Sequence, residues 1–251
     1  MKLPFCILML VFLLHDSATA QSGFVAMQKQ YPRVANAFKH KEDSLKMHAK
    51  ANGFQWPLKQ LYFRAFKAEG KLEVWARDFI VDSFRLFKTY AICAMSGTLG
   101  PKRISGDFQV PEGFYSINEF NPQSNYHLSL GLNYPNASDK VLSDKQQPGN
   151  DIYIHGACVT IGCLPLQNDP VEEVYVLATL AKGAGQDFIP VHIFPVKFGK
   201  TERQLWLETT IKDKPGYSKL VSSMEKAYHL FEQKHRLPVV AVNKQGDYLI
   251  F

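Results

Sequence analysis

Between Asp151 and Cys163 the chain reads Asp151-Ile152-Tyr153-Ile154-His155-Gly156-Ala157-Cys158-Val159-Thr160-Ile161-Gly162-Cys163. A histidine and a cysteine stand eight positions apart there, each beside a glycine. Nucleophilic cysteine chemistry needs these parts: a thiol, a base within hydrogen-bond reach, and backbone open enough to hold an oxyanion. A thiol attacks as thiolate, which a neighbouring histidine or helix N-terminus favours. Asn168 or Asp169 can cap a helix a few residues on, with Pro170 in its first turn and Glu172 and Glu173 as exposed residues that suit its dipole. Cys163 is therefore the candidate nucleophile and His155 the candidate base. Gly156 lets a strand carrying His155 turn back toward Cys163, and Gly162 leaves backbone N–H groups near the thiol unobstructed. The bland alternative is a structural cysteine beside a core histidine. Cys158 allows three readings: simple packing, a disulfide with Cys163, or a third soft ligand in a His155/Cys158/Cys163 zinc set that lacks a fourth ligand nearby.

The elements that would position this pair come from the whole chain. Of its 251 residues, 46% are apolar and 21% charged, ordinary for a globular protein, with net charge +6. The basic residues are scattered, and no basic helix or aromatic platform stands out, so nucleic acid is not an expected partner. Residues 1–20 read as an export signal: Lys2, an apolar run from Cys6 to Leu14, then Ser17-Ala18-Thr19-Ala20 before Gln21. The run is short for a membrane span, although an uncleaved anchor is the alternative. Removing it leaves Cys93, Cys158 and Cys163, an odd number, so at least one thiol stays free in an oxidising compartment unless it pairs between chains.

Residues 21–55 are helical in pattern, with Pro32 in a first turn, an apolar face of Val34, Ala37, Phe38, Leu45 and Met47, and a stop at Asn52-Gly53. From residue 56 the period changes. A β-hairpin is expected at 61–67 and 72–77, with strands at 85–95, 114–117, 126–132, 152–155 and 188–198. Residues 97–113 and 133–150 read as turn and loop. Helices are expected from 168 to Gly183 and over 217–235, with a closing strand pair in 239–251. The sum is one α+β domain over 56–251 with a helical N-terminal extension and peripheral helices.

Ile154-His155-Gly156 followed by Thr160-Ile161-Gly162-Cys163 resembles the signature of the YkuD-type L,D-transpeptidases, in which a histidine-glycine element precedes a Ser/Thr-x-Gly-Cys element. Upstream, Leu99-Gly100-Pro101-Lys102, Gly106-Asp107, Val110-Pro111-Glu112-Gly113-Phe114-Tyr115-Ser116-Ile117 and Asn121-Pro122-Gln123-Ser124-Asn125-Tyr126-His127 resemble the YafK-like branch. The likeness runs from about Leu61 to Phe198. It implies a β-rich, barrel- or sandwich-like catalytic domain in the periplasm. That domain would act without cofactor or metal on peptidoglycan stem peptides, through a thioacyl-enzyme at the L-centre of the diamino acid. On that resemblance Cys163 attacks, His155 moves the proton, the Gly156 carbonyl holds the histidine, Thr160 is the motif hydroxyl, and Gly162 with Cys163 supplies oxyanion donors. It also places Tyr126 and His127 beside the cleft, and Arg103 sits in a loop suited to meeting a substrate carboxylate.

Two positions depart from most relatives, Ile161 and Pro165, and the segment from His155 to Cys163 is short. The YafK-like branch shares such departures and includes an enzyme that hydrolyses the bond between a lipoprotein lysine and peptidoglycan. Transfer, hydrolysis that trims stems or releases a wall-linked lipoprotein, and a non-catalytic wall-binding module therefore stand as alternatives.

Overall fold

The hairpin expected at 61–77 is the start of an eight-stranded sheet in the computed structural model, which describes residues 23–149, 151–199 and 201–251. The expected export signal lies outside the described residues. A helical stretch over residues 23–29 leads through a short break into helix α1 (Pro32–Ala51), with Pro32 in its opening turn and Gly53 at φ +70° just past its end. Then come β1 (Gln60–Phe66), β2 (Lys71–Arg77), β3 (Arg85–Ala91), β4 (Gly113–Asn121), β5 (Ser129–Leu132), α2 (Ala137–Leu142), β6 (Tyr153–His155) and β7 (Leu164–Pro165). Helix α3 (Asn168–Gly183), β8 (Ile189–Phe194), α4 (Thr201–Ile211) and α5 (Pro215–Lys234) follow, and β9 (Val240–Val242) with β10 (Tyr248–Ile250) forms a separate hairpin.

The sheet order is β3-β2-β1-β8-β4-β5-β6-β7. The β1/β8 and β6/β7 pairs are parallel and the others antiparallel. Its central strand β1 is covered on both sides, which is why it reads as a nearly continuous apolar run. Leu61, Phe63 and Ala65 join a core with Val174, Leu177 and Ala181 of α3 and Val34, Ala37 and Phe38 of α1. On the other face Phe66 packs with Met224 and Tyr228 of α5, and Tyr62 with Phe231. The N-terminal extension thus contributes to the main core. Met47, expected on its buried face, is 67% exposed, and Ala49 is buried there instead.

The sheet curls until its two ends meet. The Cys93 N–H, just past edge strand β3, donates to the Pro165 carbonyl of edge strand β7 at 3.0 Å. Cys93 and Cys158 are joined by a disulfide across the same gap, with their Cα atoms 5.6 Å apart. This pairing corrects the Cys158–Cys163 alternative and leaves Cys163 as a free thiol. It also takes Cys158 out of the zinc set. The bridge spans 65 residues, so Cys93→Ser is expected to lower stability by about 2–4 kcal/mol. A urea midpoint equal to that of the unmodified protein would show that the bond contributes nothing to the fold.

Two helices were not legible as such. Helix α2 lies inside the expected 133–150 loop and is closed by a capping box in which Asn136 and Asp139 exchange side-chain and backbone bonds. Helix α4 packs Leu207 and Ile211 on the α5 face of the sheet.

Candidate active site

Strands β6 and β7 place the two candidate reactive side chains. Their parallel register sets Ile154 beside Leu164 and His155 beside Pro165. One step back, Cys163 stands beside Tyr153, whose backbone N–H reaches the thiol. Tyr153 and His155 are two apart on one strand and so face the same side. All three line one cavity of about 410 Å³.

His155 is buried, and its Nδ1 lies 2.5 Å from the Gly156 carbonyl oxygen. A carbonyl only accepts, so Nδ1 carries the proton and Nε2 is left as the acceptor. The turn that makes this contact has no room for a side chain. A Cβ on Gly156 would fall 2.7 Å from the Tyr126 carbonyl oxygen and 2.8 Å from Asn168 Oδ1. Gly156→Ala is therefore expected to displace the carbonyl that holds His155 and lower turnover by about a hundredfold, read as kcat on peptidoglycan. Activity within twofold would mean that the turn does not position the base.

The approach to Cys163 is stitched by one hydroxyl. Thr160 Oγ1 accepts from the Gly162 N–H at 3.0 Å and donates to the Cys163 carbonyl at 2.9 Å. Gly162 has φ +140°, a region open chiefly to glycine, and its Cβ would press on the Gln109 carbonyl at 3.0 Å. The thiol itself points at the Asp151 carbonyl, 3.5 Å away. Among the described residues no hydrogen bond joins it to His155. Looser contacts of this kind are common before substrate binds.

Over 192 residues the chain is 32% identical to a protein of Escherichia coli K12 named "Putative L,D-transpeptidase YafK", covering 76% of this chain and 73% of that one. This chain belongs to the L,D-transpeptidase family, in its YafK-like branch. No family model matches it. Among solved structures it resembles the K307A mutant of Pgp2, a helical cell shape determining protein of Campylobacter jejuni, with TM-score 0.43 and 20% identity over 68% of this chain. It spans 60% of that structure's length. Bd1075 of Bdellovibrio bacteriovorus is matched with TM-score 0.38 and 22% identity over 70% of this chain and 64% of that one.

The electrostatics of this L,D-transpeptidase-family site favour two neutral partners. Burial pushes the Cys163 thiol up, partly offset by the Tyr153 N–H; the Asp151 charge raises it further and the Lys102 charge lowers it. Burial pushes His155 down, against the Gly156 carbonyl, which favours its charged form. Both directions favour an uncharged imidazole and a protonated thiol at neutral pH. Substrate-free alkylation of Cys163 by iodoacetamide is accordingly expected to be slow at pH 7 and to rise only above the ordinary thiol range. A rate already at its plateau at pH 7 would indicate a preformed thiolate.

The other expected site residues divide between the cavity and its surroundings, with Tyr126 at the cavity. The Tyr126 ring centroid lies 4.8 Å from that of His155. His127 does not line the cavity; its Nε2 is paired with Glu172 Oε1 at 2.8 Å. Glu172 and Glu173 are correspondingly not free surface carboxylates, since Glu173 accepts from Lys88 and Tyr90. Arg103 is likewise committed elsewhere, donating to Asp139 at 2.9 Å outside the cavity. Asn168, expected as a helix cap, instead accepts from the Ala157 N–H at 2.9 Å and braces the loop between His155 and Cys163. Reading the chain by residue type passed over Asp151, Tyr153 and the polar lining of Asn121, Ser124 and Ser129. Of these Tyr153 was within reach, because the strand period places it on the face of His155.

Proposed function

We propose that this protein is an exported cysteine enzyme that acts on peptidoglycan stem peptides through a thioacyl-enzyme on Cys163. The observation that carries the reading is a free thiol sharing one cavity with a buried histidine whose Nδ1 is committed to the Gly156 carbonyl. The disulfide between Cys93 and Cys158 supports export, because such bonds persist in oxidising compartments.

In this mechanism Sγ attacks the carbonyl at the L-centre of the stem's diamino acid while His155 Nε2 takes the thiol proton. The Gly162 N–H, expected as an oxyanion donor, is instead given to Thr160 Oγ1, so the tetrahedral oxyanion is met by the single backbone N–H of Cys163. Collapse breaks the bond to the group beyond the carbonyl, and the imidazolium returns its proton to the departing amine. A second nucleophile then releases the acyl group: an amine in transfer, water in hydrolysis. Ile161, 73% exposed on the cavity rim, offers an incoming stem no polar group, which favours water.

The test is a mass-spectrometric stem-peptide profile of sacculi incubated with the mature protein. Shortened stems or released lysine-linked tetrapeptide without new crosslinks are expected; new L-centre to D-centre crosslinks would make it a transferase. An unchanged profile, with protein sedimenting on sacculi, would mean a wall-binding module.

A further inference from the structure

Helix α1 carries none of the proposed catalytic groups, yet it reaches the active-site wall. Arg33, near its start, donates from Nη1 to the carbonyls of Ser124 at 2.5 Å and His127 at 3.0 Å, residues more than ninety positions away. Those carbonyls bracket the segment between β4 and β5 that closes one side of the cavity, with Ser124, Asn125 and Tyr126 on its lining.

That wall is under local constraint. His127 has φ +71°, in the left-handed region a β-carbon disfavours, so the segment needs outside bonds to keep its shape. It receives them from both sides: Arg33 holds its carbonyls, and Glu172 of α3 holds the His127 ring. Within it, the Ser124 hydroxyl accepts from the Tyr126 N–H at 3.0 Å and from Ser129 Oγ at 2.5 Å. The outcome is that the Tyr126 ring lies across His155 and the Tyr126 carbonyl abuts Gly156. Arg33 can serve as an anchor because its helix is seated: Val34, Ala37 and Phe38 are in the main core, and Lys41 pairs with Asp169 at the start of α3.

We propose that Arg33 is a positioning residue for the Cys163–His155 site, tying the Ser124–His127 wall in the shape that lays Tyr126 over His155. The proposal rests on the reading of His155 as the base, and it predicts that the N-terminal extension is required for full activity. Loosening the wall admits water to the imidazole and releases part of the burial that holds its proton affinity down. The titratable groups that share the cavity with His155 are Tyr126, Asp151, Tyr153 and Cys163, and the Arg33 substitution leaves them all in place.

The experiment compares Arg33→Gln with Lys29→Ala, which removes an exposed pair with Glu42 in the same N-terminal region and does not touch the wall. NMR titration of the His155 ring is the primary readout, since it needs no substrate. Its midpoint is expected to rise toward the ordinary histidine range in Arg33→Gln and to stay put in Lys29→Ala. On peptidoglycan, kcat is expected to fall about tenfold with KM within about twofold. An unmoved midpoint in Arg33→Gln, or an equal shift in Lys29→Ala, overturns the proposal. If Arg33→Gln does not fold, Glu172→Ala removes the acceptor that holds the His127 ring, cuts the wall from its other side and must show the same shift. A shifted midpoint in a protein that never turns over peptidoglycan would uphold the positioning role while removing the proposed function.

Discussion

Replacing Cys163 by alanine is expected to remove turnover of peptidoglycan altogether, a loss on the order of 10⁴-fold or more. No other thiol can stand in among the described residues, because Cys93 and Cys158 are bonded to each other. The fold should survive. The Cys163 side chain is half-buried, and its polar contacts are a long one to the Asp151 carbonyl and the approach of the Tyr153 backbone N–H. The stability change is therefore expected within about 1 kcal/mol, checked by urea denaturation beside the activity assay. Turnover above a hundredth of the unmodified rate would mean that the acyl group travels by another route.

His155→Asn carries the second large effect. The asparagine amide can still donate to the Gly156 carbonyl, so the buried contact is kept while the acceptor at Nε2 is deleted. A loss of about 10²- to 10⁴-fold at pH 7 is expected. The pH dependence distinguishes a base from a bystander. In the unmodified protein the histidine must be uncharged to accept the thiol proton, and burial keeps it so below the ordinary histidine range. Activity should therefore persist into mildly acidic solution. In His155→Asn the thiolate must form without help, and burial places that ionisation above the ordinary thiol range. The variant's deficit should shrink as pH rises through the alkaline range. The same deficit at pH 7 and at alkaline pH would assign His155 a structural role.

The proposed pair is legible because its logic is local. His155, Gly156, Thr160, Gly162 and Cys163 fall in one stretch, and the glycines are there for reasons a sequence carries: a turn without room for a β-carbon, and a positive φ. The hairpin of β1 and β2 and the periodic face of α1 were legible for the same reason. What escaped depends on how the sheet curls. Cys93 meets Cys158 because the segment after β3 closes on β7, and nothing near either cysteine announces the other. Arg103 suits a substrate carboxylate by its type and loop, and the family resemblance sets His127 beside the cleft, yet each is taken by a carboxylate brought from a distant element, Asp139 and Glu172. Arg33 shows the converse: an exposed arginine on a helix surface gains a task only when the wall of the site folds against it. Helix α2 was missed because its capping box uses aspartate where glutamate or glutamine is the usual signal.

The central claim is that a stem peptide becomes covalently attached to Cys163. The direct test is rapid acid quenching of the protein with a tetrapeptide stem, followed by intact mass measurement and peptide mapping. The account predicts an added acyl mass on the peptide that contains Cys163, absent in Cys163→Ala and formed far more slowly in His155→Asn. Turnover that proceeds with no adduct on that peptide would contradict it.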